Sequence, residues 1–331
     1  MNGEPTLDLS QTYRGVREEA HEQIVDHFTR MLEQRRALRR EDREIEDLAT
    51  AALRRQLHRD EQYAAQIGPL ISASADRFTN LEVGDHVLAG LSREKILALT
   101  TGCTVRDLQV ELGNVVAVTA AKDTSVRIFT PPYADEWTHT DGGRHQQLFV
   151  SAQKASGSLQ MVYSIGKEGG SAYLGAGVAI LFMRQAPGHP PGHGPAGLAQ
   201  IRTDTPYRYR WRDVSYAGTA HQHGGFGVLV GSWSTAGGPG RVDQNHQRWA
   251  WNDGTNWYKT HSNPNWSGLD DDTALRFGDQ SPYFPIEPGR LYVAWVWCFL
   301  DGDAGGADVL SAAFAQAQIV AAVNTIVVGQ Q

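Results

Sequence analysis

An α-helical N-terminal region followed by an antiparallel β-sandwich is the fold class this sequence predicts, and three observations predict it. Between Tyr13 and about Ile67 there is no proline and Gly15 is the only glycine before Gly68, while Ala, Leu, Glu, Gln and Arg dominate, a composition that favours helix. After Thr100 the period changes to the two-residue alternation of a strand, most plainly in Tyr207-Arg208-Tyr209-Arg210-Trp211-Arg212. The composition changes at the same place. Residues 1–100 carry 32 of the 67 charged side chains and 5 of the 35 glycines, whereas residues 101–331 carry 30 glycines and all 9 tryptophans. The chain therefore divides into an α-helical arm or oligomerisation region, 1–100, and a β-sandwich body, 101–331.

Within the arm one or two long helices are expected. Ile24, Phe28, Met31, Leu38, Ile45 and Ala52 keep a mostly seven-residue step, as a packed helix face or a coiled-coil seam would. The alternate core positions hold Arg35, Asp42 and Gln56, so a helix docked on something else fits better than an autonomous coiled coil. Arg35-Arg36-Ala37-Leu38-Arg39-Arg40 is expected to be a solvated face. Glu33, Glu41, Asp42, Glu44, Glu46 and Asp47 surround it and cancel its field within a Debye length of ~8 Å. Gly68-Pro69 should end the helix, and a short helix over 92–99, capped by Ser92, should close the region.

In the body, strands are expected at 115–118, 147–152, 159–165, 176–183, 207–212, 225–232, 246–251, 257–261, 291–300, 310–319 and 322–328, with almost no helix between them. In 207–212 the rings should point inward and the guanidinium groups outward. Asp253-Gly254 lies between two aromatic-rich runs, a hairpin signal because such turns need positive φ. The run from Leu291 to Leu300 is apolar on both faces, so it should be a central strand covered on both sides. The Pro/Gly-rich stretch at about 185–197 should be a long loop, and the apolar run from Ile319 to Val328 a sticky strand if left on an edge. Many short strands without crossover helices imply an antiparallel, jelly-roll-like sandwich rather than a parallel sheet.

Composition also excludes functions. No stretch approaches ~18–20 uninterrupted apolar residues, so no membrane span is expected. The first residues lack the charged and apolar regions of a signal peptide, which makes the cytoplasm the default compartment. Formal net charge is −7, split −4 and −3 between arm and body, which argues against nucleic acid as a partner. Cys103 and Cys298 are expected to be two packed thiols rather than a bridge.

Three constellations carry candidate chemistry. His221-Gln222-His223 would aim two imidazoles to one side of a strand, a start for a metal shell. Two histidines at this spacing resemble the cupin pattern, which implies a glutamate ligand a few residues later; here Gly224-Gly225-Phe226-Gly227-Val228 follows and no glutamate appears. Asp301, Asp303 and Asp308 occupy the first, third and eighth positions of a glycine-rich segment and can offer oxygens to Ca²⁺, although the default expectation is no cofactor. The stretch 249–266, with Trp251, Asn252, Asp253, Trp257, Tyr258 and His261, could stack rings on a sugar and orient its hydroxyls, while the same tryptophans equally suit a core or a subunit interface.

Enzymatic signatures are absent. Gly231-Ser232-Trp233-Ser234 lacks the second glycine of a nucleophile elbow, Gly175-Ala176-Gly177 lacks the third glycine of a dinucleotide site, and there is no phosphate-binding loop or HExxH motif. The layout of helical arm and sandwich resembles trimeric jelly-roll proteins with helical stalks and some viral or tail-fibre adhesins. The resemblance concerns layout alone; the unpaired amphipathic helix and the apolar stretch from Ile319 to Val328 lead to the expectation of a non-enzymatic homo-oligomeric structural protein assembled through its helices and body. A carbohydrate-binding module using the 249–266 hairpin is the alternative, and a metal-dependent enzyme around His221 and His223 a further one.

Overall fold

The computed structural model describes residues 9–57, 61–79, 125–143, 146–166, 169–186, 188–205, 207–216, 218–256, 259–267, 275–276, 282–305 and 312–331. The expected helix at 92–99, the expected strand at 115–118, Cys103 and Asp308 lie outside them. Two helices come first, α1 (Leu9–Leu57) and α2 (Glu61–Thr79). The strands follow as β1 (Ser125–Phe129), β2 (Asp135–Gly142), β3 (Gln146–Gln153), β4 (Ser158–Ile165), β5 (Gly170–Met183), β6 (Gly197–Thr205), β7 (Tyr207–Tyr216) and β8 (Thr219–Ser234). The remainder are β9 (Arg241–Asn256), β10 (Lys259–Ser267), β11 (Leu275–Arg276), β12 (Phe284–Ile286), β13 (Arg290–Gly305), β14 (Ala312–Ala322) and β15 (Thr325–Gln330).

The strands form three antiparallel sheets. The first has the order β2-β5-β13-β8-β9, the second β10-β7-β14-β4-β3, and the third β1-β15-β6-β11 with β12 also on β6. One core joins all three: Val178, Phe226 and Val296 of the first sheet meet Met161, Tyr163 and Ile319 of the second and Ile201, Phe284 and Ile326 of the third. The body is thus a β-sandwich in which the chain passes from the third sheet into the second between β6 and β7, and from the second into the third between β14 and β15, with only one or two residues between the strands.

β13 explains its own composition. Its even-numbered residues, including Tyr292, Val296 and Leu300, enter the sandwich core, while Leu291, Val293, Trp295, Trp297 and Phe299 face the other way and are buried beneath α1. The cover on the second face is therefore the arm itself, seated through Tyr13, Ala20, Ile24, Phe28, Met31 and Leu32. Ile24, Phe28, Met31 and Leu32 each contribute about 1.5–3 kcal/mol when fully buried. α2 lies on the second sheet, where Ile71 and Ile67 pack on Val214, Ala312 and Phe314.

The glycine-rich, tryptophan-rich composition of the body has a steric cause. A Cβ at Gly224 would collide with the Trp251 ring, one at Gly227 with Trp297, and one at Gly175 with Trp137 and Phe28. Large rings lie flat across glycines on the neighbouring strand, which lets the sheets close at native packing density.

Several expectations are corrected. Gly68-Pro69 does not end a helix, for Pro69 lies inside α2; Pro69 is exposed, so water can take up the carbonyl it leaves unpaired, while Ile67 and Ile71 hold the helix down. Asp253-Gly254 is no hairpin turn: both residues remain in β9, paired with Gln222 and His221, and β9 and β10 belong to different sheets. The pairing to β8 overrides the local turn preference. The apolar C-terminal run is not on an edge, since β14 lies between β7 and β4 and β15 between β1 and β6. Leu38 does not continue the buried seam and is 64% exposed. β1, β2, β6, β11 and β12 are strands that alternation did not reveal.

Candidate functional site

Chemistry-bearing residues gather where α1 lies on the first sheet. His21 meets the Trp295 ring edge-on at a centroid distance of 5.1 Å, and Arg35 reaches Asp301. Fourteen helical residues rise roughly 21 Å and six strand residues roughly 20 Å, so α1 runs along β13. Residues four apart on the helix, Tyr13, Arg17 and His21, reach one carboxylate. Tyr13 Oη donates to Asp135 Oδ2 at 2.6 Å, Arg17 donates from Nε to Oδ2 at 2.7 Å and from Nη2 to Oδ1 at 3.0 Å, and His21 Nε2 stands 2.9 Å from Oδ2. Burial alone would push the Asp135 carboxyl up, but these bonds outweigh it and hold it well below the usual carboxylate range.

At the far end Arg39 Nη2 donates to Asp301 Oδ2 at 2.6 Å and Arg35 Nη1 to the same oxygen at 3.2 Å. Asp303 Oδ1 lies 3.8 Å from Arg39 Nη1, and Arg36 bonds Asp141. The Arg35 guanidinium is sandwiched between the Trp249 ring, 4.2 Å from its centroid, and Phe299, at 4.5 Å. The expectation of a solvated arginine face is thereby overturned for Arg35 and Arg39, whose side chains are 12% exposed. Arg35 occupies a core position of the helix because a buried carboxylate on β13 waits beneath it. Its spacing from Leu32 and Arg39 was the available signal, and the missing information was Asp301.

The structure brings together four of the five proposed metal ligands from two separate motifs. Cross-strand register sets His223 opposite Asp301 and His221 opposite Asp303. What they meet is cationic: Asp301 is bonded to two arginines, and the His223 ring tilts against Trp249. Burial, with Arg39 and Arg35 adding to it, pushes the His223 imidazole down to about 4, so it is neutral at physiological pH. Among the described residues no group of three or more His, Cys, Asp or Glu side chains is arranged to hold a metal ion.

The glycan candidates are dispersed. A bulge between Gly224 and Gly225 puts Trp249 and Trp251 opposite consecutive residues of β8, so the two rings face opposite sides of the sheet. Trp251 is buried and stacks on Tyr209 at 4.6 Å between centroids, and it offers no face to a sugar. Asn252 is exposed on the other side, and Asp253 Oδ1 accepts from the Gly254 N–H at 2.6 Å. Trp257 and Tyr258 lie outside the described residues; His261 is in β10, opposite Asp213.

Inside the sandwich a second polar group was not anticipated. Asp213, Gln222 and Tyr163 are fully buried, and neither Asp213 oxygen, the Gln222 amide nor the Tyr163 hydroxyl makes a hydrogen bond of normal geometry. Burial pushes the Asp213 carboxyl up to about 8; the neighbouring Gln222 amide opposes the shift, and Asp253 and Asp303 add to it. Cys298, also enclosed, is a free thiol raised far above its ordinary value by burial. No protein-family model matches the chain, and no curated protein matches it either.

Proposed function

We propose that this is a non-enzymatic structural protein that self-associates through the part of α1 that extends past its own body. One observation carries the reading. α1 is a single helix of 49 residues, yet its clasp to the body falls at Arg35 and Arg39, close to the end of β13. The 18 residues after Arg39 add about 27 Å of helix, whereas only about 7 Å of strand remains between Asp303 and Gly305. Leu38, 64% exposed, opens this distal segment and stands in a seven-residue step with Ile45 and Ala52 in the sequence. An apolar seam on a projecting helix is a self-association element in a homo-oligomer.

Light scattering on the full chain at micromolar concentration tests it. A defined oligomer is expected, and Leu38→Glu combined with Ile45→Glu should give a monomer with an unchanged circular dichroism spectrum. A monomeric wild-type chain sinks the proposal, as does an oligomer indifferent to both substitutions.

A further inference from the structure

The middle of the arm–body contact contains two imidazoles among aromatic rings. His27, on α1, is half-buried and sits 5.8 Å between centroids from Trp297 of β13, and its Nε2 is enclosed with no hydrogen-bond partner. His139, on β2, packs edge-on against Phe28 of α1 at 5.1 Å and stacks on Trp137 at 6.3 Å. Phe28 links the two, because the same ring also meets Trp137 and Trp297. We propose that α1 is an acid-weakened strap: protonation of His27 and His139 raises the fraction of molecules in which the helix is lifted from the first sheet.

The physical argument is linkage. Both imidazoles lose water when the helix docks and gain no carboxylate bond in return. Burial holds His27 below the ordinary histidine value, and Arg30 on the same helix adds to the effect. Burial likewise lowers His139; Asp141 on its own strand opposes the shift, and Arg36 from α1 reinforces it. The Trp297 ring offers His27 only a weak cation–π attraction in place of the lost hydration. A group whose docked value is depressed stabilises docking above its free value, roughly 6.5, and loses that contribution as pH falls through the docked value.

The neighbouring charged groups do not reverse the sign. His21 has its own carboxylate, Asp135, which is held far below this pH window. The guanidinium groups of Arg35, Arg36 and Arg39 carry their charge throughout it. Acid therefore acts at the centre of the strap through His27 and His139 and, in the same direction, beneath the Arg35–Arg39 clasp through His223, which burial and those two arginines hold down; the apolar stripe still covers the sheet, so the expected response is a population shift rather than complete detachment. The inference does not depend on self-association, because it concerns a contact within one chain.

Hydrogen exchange followed by mass spectrometry tests it on the full chain at pH 7.5 and pH 5.0, with rates corrected for the intrinsic effect of pH. Peptides from residues 9–39 should exchange at least about threefold faster at the lower pH, while peptides from β4 and β14 keep their protection. His27→Gln combined with His139→Gln should remove a large part of that difference, and adding His223→Gln most of the rest. Equal protection of 9–39 at the two pH values overturns the proposal, and so does a uniform loss across α1, β4 and β14, which would be global unfolding. A full response persisting in the double variant also overturns it, since other groups would then be responsible.

Discussion

Asp301 is the residue on which the arm–body clasp depends most. It is fully buried and receives two guanidinium groups that are themselves nearly enclosed. Removing one member of a buried charged group leaves the others uncompensated, at a cost of about 3–5 kcal/mol. Asp301→Asn keeps the shape and removes the charge, so a urea denaturation curve should show a loss of that size, with Arg39 losing its strongest partner. An unchanged midpoint would mean that water reaches the guanidinium groups and that the clasp contributes little. The same residue scale explains why tryptophan and glycine occur together in this chain: each ring at Trp137, Trp251 and Trp297 needs a neighbouring strand position with no side chain.

At the scale of elements, α1 is held by one apolar stripe closed at each end by ion pairs. Phe28 is the centre of that stripe, fully buried and in ring contact with Trp137, His139 and Trp297. Phe28→Ala should lower stability by about 3–5 kcal/mol and shift tryptophan emission to longer wavelength as the indoles beneath the helix meet water. Glu22→Ala, on the exposed side of the same helix, should stay within about 0.5 kcal/mol. Equal effects at the two positions would mean that the helix does not cover the sheet in solution. β13 is the matching element, a strand whose two faces serve two different cores.

The whole molecule combines titrations of opposite sign. His27, His139 and His223 are held below their ordinary values, so each favours the folded state at neutral pH and opposes it in acid. Asp213 acts the other way. Its folded value of about 8 lies above the ordinary 3.8, so the unfolded chain ionises first and stability falls as pH rises from 3.8 to 8, with no further loss above that. Asp213→Asn should therefore stabilise the protein at pH 8 by about 1–3 kcal/mol, the scale of an unsatisfied buried polar group, and by less at pH 5. Urea midpoints at the two pH values measure this, and a substitution that destabilises at pH 8 would contradict a protonated Asp213. Because Asp213 lies inside the sandwich and not under α1, it contributes to global stability without biasing the docking of the strap.

Local composition and period determined a good deal by themselves. A proline-free run rich in helix formers could only be a long helix, and an aromatic–arginine alternation such as Tyr207 to Arg212 could only be a strand with an apolar inner face, because the backbone periods of helix and strand differ. The two-sided hydrophobicity of Leu291 to Leu300 also announced a covered central strand, since apolar side chains on both faces must leave water. Tertiary structure alone decided what provides that cover, because a stripe on α1 and a face on β13 carry no address for one another until the chain brings them together. It decided that Arg35 and Arg39 are buried, for a guanidinium's surroundings depend on a carboxylate more than 260 positions away. It also decided that Trp249 and Trp251 face opposite sides, through a one-residue bulge that alternation cannot register, and that Asp253-Gly254 stays in a strand. Local preferences of that kind are worth a few tenths to about 1 kcal/mol, little enough for the ladder of fourteen residue pairs between β8 and β9 to override.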